Sequence, residues 1–206
     1  MKKVAVVILN WNGKDWLEKF LPSVVANTST ELAEIIVVDN ASTDQSIDFL
    51  QNFYPSIQRI CFEENLGFTG GYNQSIKQLD HPYIVLLNSD VKPGENWLEP
   101  MVRLMESDRN IAACQPKILS YDQPTHFEYA GASGGMIDAL GYPFCRGRIF
   151  DILEADNKQY DDAKKVFWAS GACMLVRTEL YKKLGGLDEL FFAHMEEIDL
   201  CWRMQN

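Results

Sequence analysis

The chain has 206 residues, of which 47% are hydrophobic and 12% aromatic, and this suits one domain with a sizeable core. A formal charge of −10 argues against a broad grip on nucleic acid, which depends on clustered Lys and Arg. The five cysteines form no Cys-x-x-Cys pair, which leaves zinc ribbons and redox motifs unsupported.

Strand and helix patterns alternate from the N-terminus. Apolar runs predict strands at 3–9, 34–39, 57–62 and 83–87, and amphipathic patterns predict helices at 15–27, at 43–54 and from about 69. Four successive βα units predict a mostly parallel sheet with right-handed crossovers, and hence a three-layer α/β domain.

The pattern changes after about residue 120. Residues 120–165 are rich in Gly, aromatic and charged residues, which predicts an irregular or mobile surface segment. Order returns with a strand-like run at 166–177 and a short helix, which begins with Thr178 as N-cap and stops at Gly185 or Gly186. Residues 196–206 read as a helix still in progress where the sequence ends, so we expect a single domain, 1–206, cut from a longer protein.

No run approaches the roughly 20 apolar residues of a membrane span. The short apolar run at the N-terminus lacks the length and the small-residue cleavage site of a signal peptide. We therefore expect a cytoplasmic protein, including the inner face of the membrane, where a missing C-terminal part would make any peripheral contact.

Polar residues follow each of the four predicted strands. Carboxyl ends of parallel strands meet at one edge, where ligands bind in open α/β sheets. Asp90 ends the fourth strand, and it is either a turn former, since Pro93 and Gly94 follow, or a cation ligand. The recurrence of Asn, Asp, Ser and Gly at all four ends predicts a pocket.

Two common nucleotide-binding loops are absent. Gly13 stands alone after the first strand, so G-x-G-x-x-G is missing, and no Walker loop is present. The remaining way to bind a nucleotide uses residues at the first three strand ends to contact the base and ribose, and a metal ion at the fourth strand end to contact the diphosphate. Asp39, Asn65, Gly67 and Asp90 could supply these groups.

Five segments carry a resemblance to a known family: VVILNWNGKDWLEKFLPSV, IIVVDNASTDQS, NLGFTGGYNQS, VLLNSDVKP and SGACMLVRTELYKKLGGLDELFFAHMEEIDLCWR. In this order they resemble the motifs of glycosyltransferase family 2, with the GT-A fold, and in particular its bacterial rhamnosyltransferase-like branch. The resemblance implies transfer from a nucleotide-diphosphate sugar, UDP- or dTDP-linked, to a hydroxyl of a glycan or lipid-linked acceptor in cell-surface polysaccharide synthesis. It makes 120–165 the acceptor-side segment.

The resemblance also implies a role for each matching residue. Asp90 matches the last acid of the D-x-D motif, which binds Mg²⁺ or Mn²⁺ at the diphosphate, and Asn88 replaces the first acid. His194 is a candidate second metal contact, although a lone histidine is more often structural. The implied donor-binding residues are Asn10, Asn12, Asp39, Asn40, Asn65, Gly67, Gly70, Gly71, Asn73, Asn88 and Ser89.

The base of an inverting reaction is implied by HMEEIDLCWR, which resembles E-D-x-D-L-C-x-R. Glu197 matches the catalytic acid, and Glu196 and Asp199 stay open as alternatives. The structural interpretation is that these acids favour a helix N-terminus and that Asp199 pairs with Arg203. For Asp199 we prefer the structural interpretation.

Other interpretations remain at this stage. Trp168 and Trp202 are expected in the core, with the sugar pocket as the alternative for Trp168. The chain could also be a donor-binding domain with little transfer in this truncated form, or a sugar nucleotidyltransferase. The latter normally carries a basic, Gly-rich loop after the first strand, which NWNGKDW hardly offers.

Overall fold

The computed structural model describes residues 2–191 and 193–206. Its first half alternates strands and helices as predicted. The elements are β1 (Val4–Asn10), α1 (Lys14–Asn27), β2 (Ala33–Asp39), α2 (Ser46–Phe53), β3 (Gln58–Cys61), α3 (Gly67–Lys77) and β4 (Tyr83–Asn88).

The second half is less regular. Its elements are α4 (Leu98–Ser107), β5 (Ala113–Cys114), β6 (Gly135–Ile137), β7 (Pro143–Cys145), β8 (Arg148–Ile149), β9 (Ile152–Leu153), β10 (Cys173–Arg177), α5 (Thr178–Lys183) and α6 (Glu196–Arg203). Segment 120–165, predicted as irregular, thus carries two short hairpins, β6–β7 and β8–β9.

The main sheet has six strands in the order β3-β2-β1-β4-β10-β5. Strands β3, β2, β1 and β4 are parallel, and β10 is antiparallel to both of its neighbours. The mostly parallel sheet is therefore confirmed. After β3 the chain returns to the other side of β1, and this reversal opens a crevice at the carboxyl ends of the strands.

Helices cover both faces of the sheet, which explains the nearly continuous apolar sequence of its central strands. Val4, Val6 and Ile8 of β1 pack in a core with α1, α2 and α4. Ala5 and Val7 point to the opposite core, with α3, α5 and α6. The three-layer prediction is confirmed, and no helix among the described residues is long and apolar enough to span a membrane.

Several local predictions are corrected. Arg177, not Thr178, is the N-cap of α5, and no side chain caps that helix. The strand predicted at 166–177 forms only from Cys173, and α6 ends at Arg203 instead of running to the end. Trp202 is 48% exposed and packs edge-on against Phe167, so its assignment to the core is wrong.

The stop predicted for α5 is confirmed. Gly185 and Gly186 have φ angles of 84° and 78°, a left-handed conformation that glycine adopts without a steric penalty. The Gly186 amide donates to the Tyr181 carbonyl at 2.9 Å, which closes the helix end.

Candidate active site

The register of the sheet brings three predicted site residues to one edge. Asn10 of β1 pairs with Asp39 of β2, and Leu9 pairs with Asn88 of β4. The polar residues that follow β1, β2 and β4 therefore leave the sheet at nearly the same level, as expected for a ligand-binding edge.

Asp39 is held rigidly at this edge. Only 3% of the residue is exposed, and its carboxylate accepts hydrogen bonds from Asn10 Nδ2 at 3.0 Å and from the Ser42 amide at 2.9 Å. Each carboxylate oxygen keeps lone-pair capacity for a further donor. Within the described chain the buried Oδ1 of Asn10 has no hydrogen-bond partner, so a polar group is unsatisfied beside Asp39.

Asn12 shapes the loop that follows β2. Its Oδ1 accepts hydrogen bonds from the Thr43 amide at 2.7 Å and the Asp44 amide at 3.3 Å. The backbone amide of Asn12 donates to Ser42 Oγ at 2.9 Å. The side-chain oxygen of Asn12 is therefore occupied by the protein, and a donor contact from this residue stays a prediction.

Asn40 and Asn65 join the end of β2 to the start of α3. Asn40 Nδ2 donates to Asn65 Oδ1 at 2.8 Å and to the Gly67 carbonyl at 2.9 Å, and the Gly67 amide donates to Asn65 Oδ1 at 2.8 Å. Gly67 has a φ of 71°, which disfavours a side chain. These contacts order the turn before α3, in which Asn65 and Gly67 are predicted to bind the donor.

The two glycines inside α3 have a packing role. A Cβ on Gly71 would lie 2.7 Å from Leu9 Cδ1, and one on Gly70 would lie 3.2 Å from Leu66 Cβ. Gly71 therefore lets α3 approach β1 closely. Whether the two glycines also lie beside the donor, as predicted, does not follow from this packing.

Asn73 is a positioning residue for the segment after α5. Its Nδ2 donates to the Leu187 carbonyl at 2.8 Å, and its Oδ1 accepts from the Leu187 amide at 2.9 Å and from Tyr181 Oη at 2.8 Å. The side chain is buried and its strong contacts are all internal. Asn73 was predicted beside the donor, whereas its side chain is committed to the chain that leads towards α6.

We expect Asn73→Ala to lower the free energy of unfolding by about 3 kcal/mol, because three buried polar groups lose their partner. Urea unfolding would measure this. Gln74→Ala, at the exposed neighbouring position, is the matched control and should change stability by less than about 0.5 kcal/mol. Equal stability of the two variants would contradict the anchoring role of Asn73.

Strand β4 ends in a turn, and Asp90 stands free at that turn. The Asn88 amide donates to the Ala172 carbonyl at 3.0 Å, and the Val91 amide donates to the Asn88 carbonyl at 3.3 Å. Asn88 and Ser89 are half-buried, whereas Asp90 is exposed. Across the described residues the Asp90 carboxylate has no hydrogen bond or ion pair, so its lone pairs are available to a cation.

Glu128 responds to the charge of Asp90, and the sequence did not point to it. Burial raises the pKa of Glu128, and the charge of Asp90 raises that pKa further, while Arg148 opposes the effect. The carboxylate accepts the Ala130 amide at 2.6 Å. Glu128 falls in segment 120–165, where no periodic pattern marked any single residue, so no sequence signal pointed to it.

Two acids open helix α6. Glu196 is 5% exposed and Glu197 is half-buried, and in each the Oε2 atom is buried without a hydrogen-bond partner in the described chain. Burial raises the pKa of both carboxyls, and the charge of Glu196 raises that of Glu197 further. A buried carboxylate with an unsatisfied oxygen is typical of a functional acid.

Asp199 has a structural role, as preferred from the sequence. Its Oδ2 accepts from Arg203 Nε at 2.8 Å, and Arg203 also donates to the carbonyls of Leu184 and Gly186, at 2.7 and 2.8 Å. The ion pair thus fastens α6 to the turn after α5. Glu196 and Glu197, by contrast, each keep a buried Oε2 atom without a partner among the described residues.

His194 precedes α6 and is exposed, with a φ of 75°. Its positive form would lower the pKa of both Glu196 and Glu197. No group of three His, Cys, Asp or Glu residues capable of holding a metal occurs in 2–191 and 193–206. A metal contact from His194 therefore stays a prediction.

Two tryptophans differ in their placement. Trp168 is 6% exposed and donates from Nε1 to the Met136 carbonyl at 2.9 Å, which confirms its expected core position. Trp11 lies between Asn10 and Asn12 and is 58% exposed. An exposed indole at a ligand edge offers a flat surface for stacking, a feature that the sequence reasoning did not use.

These observations define the class of the protein: an α/β domain with an open, polar and acidic edge at the carboxyl ends of its parallel strands. The family model described as Glycosyl transferase family 2 matches residues 5–185. The chain belongs to this family and has the GT-A fold.

Known relatives agree with this assignment. The chain is 26% identical to the N-acetylglucosaminyl-diphospho-decaprenol L-rhamnosyltransferase of Mycobacterium tuberculosis, with 97% of this chain and 69% of the relative covered. Among solved structures, the mannosyltransferase PcManGT from Pyrobaculum calidifontis, in complex with GDP-Man and Mn²⁺, matches 98% of this chain with a TM-score of 0.66 at 15% identity. GalNAc-T7 with UDP, GalNAc and Mn²⁺ also matches 98% of this chain, with a TM-score of 0.71 at 16% identity. The chain spans 51% and 40% of the lengths of these two structures.

Proposed function

We propose that this protein transfers a sugar, with inversion, from a UDP- or dTDP-sugar to a hydroxyl of a glycan or lipid-linked acceptor in the synthesis of a cell-surface polysaccharide. The observation that carries the proposal is the polar edge of the sheet. Two hydrogen bonds orient the Asp39 carboxylate at the end of β2, and the exposed Asp90 carboxylate, just after β4, has no partner among the described residues. The mycobacterial relative is named for rhamnosyl transfer to N-acetylglucosaminyl-diphospho-decaprenol, and this supports the class of donor and acceptor.

The nucleoside end of the donor would lie against the first strand ends. Asp39 and the unsatisfied Oδ1 of Asn10 would accept hydrogen bonds from the base or ribose. The turn ordered by Asn40 and Asn65 would form one wall of this part of the site. Trp11 is available for stacking on the base.

A divalent cation fits the diphosphate end. Asp90 has an unpaired carboxylate among the described residues, and an acidic chain needs a counter-ion for a diphosphate. Mg²⁺ commonly takes only one or two protein carboxylates together with substrate oxygens and water. Asp90 would therefore hold Mg²⁺ or Mn²⁺, which stabilises negative charge on the leaving diphosphate when it is bound.

Glu197 would serve as the general base. The acceptor oxygen would form a bond to the anomeric carbon, and its proton would pass to the Glu197 carboxylate. The bond from the anomeric carbon to the diphosphate would break, and its electron pair would stay on the diphosphate oxygen. The Oε2 atom of Glu197 is buried without a hydrogen-bond partner in the described chain, and burial raises the pKa of the carboxyl. A carboxylate with a raised pKa is a stronger base than an exposed carboxylate with an ordinary pKa. Glu196 is more buried and is the alternative base.

A donor panel tests the proposed transfer. Purified full-length protein is given UDP- and dTDP-sugars with Mg²⁺ or Mn²⁺, and release of free nucleotide is measured with and without a lipid-linked glycan acceptor. Acceptor-dependent release, with a product of inverted anomeric configuration by NMR, would support the proposal. Donor binding without turnover would favour the donor-binding domain, and pyrophosphate exchange would favour a nucleotidyltransferase.

We expect Asp39→Asn to weaken the binding of UDP and of UDP-sugar by about tenfold, since a hydrogen bond to a charged group contributes roughly 1.5–3 kcal/mol. Asn has the same shape, so the buried site is not emptied. Asp48→Asn is the control, because it removes the same charge at an exposed position of α2. If Asp39→Asn changes only sugar discrimination in calorimetry, Asp39 lies at the other end of the donor.

A further inference from the structure

The exposed apolar side chains of the second half concentrate on the two hairpins of segment 120–165. Leu140 is 83% exposed and Phe150 is 88% exposed. We use "hairpin surface" for Leu140, Tyr142, Phe144, Ile149, Phe150 and Ile152. Six large apolar residues this exposed within 140–152 form a patch rather than the scattered singles of an ordinary surface.

Three residues of the hairpin surface come together between the two hairpins. A cavity of about 300 Å³ lies between them, and Phe144, Ile149 and Phe150 are among its lining residues. Leu140 precedes Gly141 in the turn between β6 and β7, and Phe150 lies in the turn between β8 and β9. The two most exposed residues of the hairpin surface, Leu140 and Phe150, therefore lie in the turns of the two hairpins.

Phe150 is costly to the fold at its position. Its φ is 51°, a left-handed conformation that Gly or Asn adopts more readily than Phe. The ring is almost wholly exposed, so no packing within the protein offsets this strain. A strained residue whose side chain stabilises nothing in the fold indicates a role for the ring outside it.

The local charge also differs from that of the chain. Residues 139–153 contain one acid, Asp151, and two arginines, whereas the whole chain carries −10; Arg146 is paired with Asp162 at 3.6 Å, which leaves Arg148 as the arginine without an ion pair in the described chain. Aromatic rings and arginines together suit the boundary between lipid headgroups and acyl chains, where an apolar body and a polar rim are both solvated. The rest of the acidic surface would be repelled by an anionic membrane.

We propose that the hairpin surface inserts its tips into the headgroup–acyl boundary of a lipid bilayer. Projecting tips insert singly between lipids, whereas a second copy of the chain would require a complementary face of standard interface size. The contact is peripheral. It lies within the described chain, not in the C-terminal part that the sequence suggested for such a contact.

Arg148 links the hairpin surface to Glu128, an acid that also responds to the charge of Asp90. The Arg148 guanidinium stacks over the Tyr129 ring at 3.9 Å, and neighbouring Glu128 feels the charges of both Arg148 and Asp90. Insertion would hold the edge with Asp90 near the lipid surface. That consequence, delivery of a lipid-linked acceptor from the bilayer, rests on the proposed function, whereas the membrane contact does not.

Vesicle co-sedimentation without donor or acceptor tests the contact. The full chain is mixed with phosphatidylcholine vesicles and with vesicles that also contain phosphatidylglycerol. The variants are Leu140→Ser with Phe150→Ser, and the control is Phe53→Ser, which is 70% exposed on α2. We expect the double variant to lower the partition coefficient at least about tenfold on both vesicles, and the control to lower it less than about twofold.

Phe150→Gly separates lipid binding from folding. Gly relieves the positive φ, so the unfolding midpoint should stay equal or rise while vesicle binding falls several-fold. Three results would overturn the proposal: no vesicle binding by the wild type, equal binding by wild type and double variant, or a wild-type dimer in sedimentation that the double variant abolishes. The last would identify a second copy as the occupant. A failure of sugar transfer would leave this measurement unaffected.

Discussion

Glu197→Gln is expected to slow sugar transfer by about 10² to 10⁴ while donor affinity stays nearly unchanged, because general-base catalysis contributes a factor of that size. Gln keeps the shape of the side chain but accepts no proton at neutral pH. In the described chain the Oε2 atom of Glu197 is buried without a hydrogen-bond partner, so the substitution breaks no hydrogen bond at that atom. Single-turnover transfer and calorimetric donor binding would measure the two effects separately.

Glu196→Gln is the matched control, since it makes the same change one residue earlier at the start of α6. It should slow transfer much less. If the two phenotypes are exchanged, Glu196 is the base and the alignment with the family motif is off by one. If neither variant slows transfer, the base lies outside this pair of acids. The full-length protein should be used for both variants.

The raised pKa of Glu197 adds a second readout. Burial is the main cause, and the charge of Glu196 adds to it. Since the folded pKa lies above the unfolded one, ionisation of Glu197 lowers stability progressively as the pH rises from the unfolded pKa to the folded pKa, and the loss is absent below the unfolded pKa. Glu197→Gln should therefore unfold at a higher temperature than the wild type at about pH 8, with little difference at about pH 4. Wild-type transfer should rise with pH through the same pKa.

The parallel half of the fold could be predicted because its sequence pattern is local and repeated. Residues of β1 are buried on both faces, so the strand reads as an unbroken apolar run. Helix α4 did not emerge, and β10 was predicted too long, because Trp168 and its neighbours pack in the core without pairing as a strand of the main sheet. Burial alone does not distinguish a buried loop from a buried strand.

The site could be predicted only in part, since the sequence shows which residues reach an edge but not what their side chains contact. Asp39 and Asp90 were placed at strand ends, and both lie there. Asn73 looked equivalent in the sequence, yet its amide bonds to Leu187, 114 residues further along the chain. The pKa of Glu128 responds to the charge of Asp90, although Glu128 lies in a segment without periodicity. Contacts of such long range follow from tertiary packing, which no local spacing encodes.

Asp90→Ala is expected to abolish the metal dependence of donor binding and leave the fold intact. Asp90 is exposed and has no partner within the described chain, so its removal creates no cavity and leaves no buried group unpaired. Unfolding by heat should therefore show the wild-type transition. Glu95→Ala is the control, because Glu95 is also exposed and follows the same strand end.

Calorimetry with nucleotide sugar, with and without Mg²⁺ or Mn²⁺, measures the effect. For the wild type and Glu95→Ala, the cation should strengthen donor binding by at least about tenfold, whereas Asp90→Ala should bind the donor equally weakly in both conditions. The reason is that Asn88 replaces the first acid of the motif, which leaves Asp90 as the one strong ligand of β4. If the cation still strengthens binding by Asp90→Ala, another acid holds the metal and the assignment of Asp90 is wrong; Glu128, whose pKa responds to the charge of Asp90, is the first to replace next.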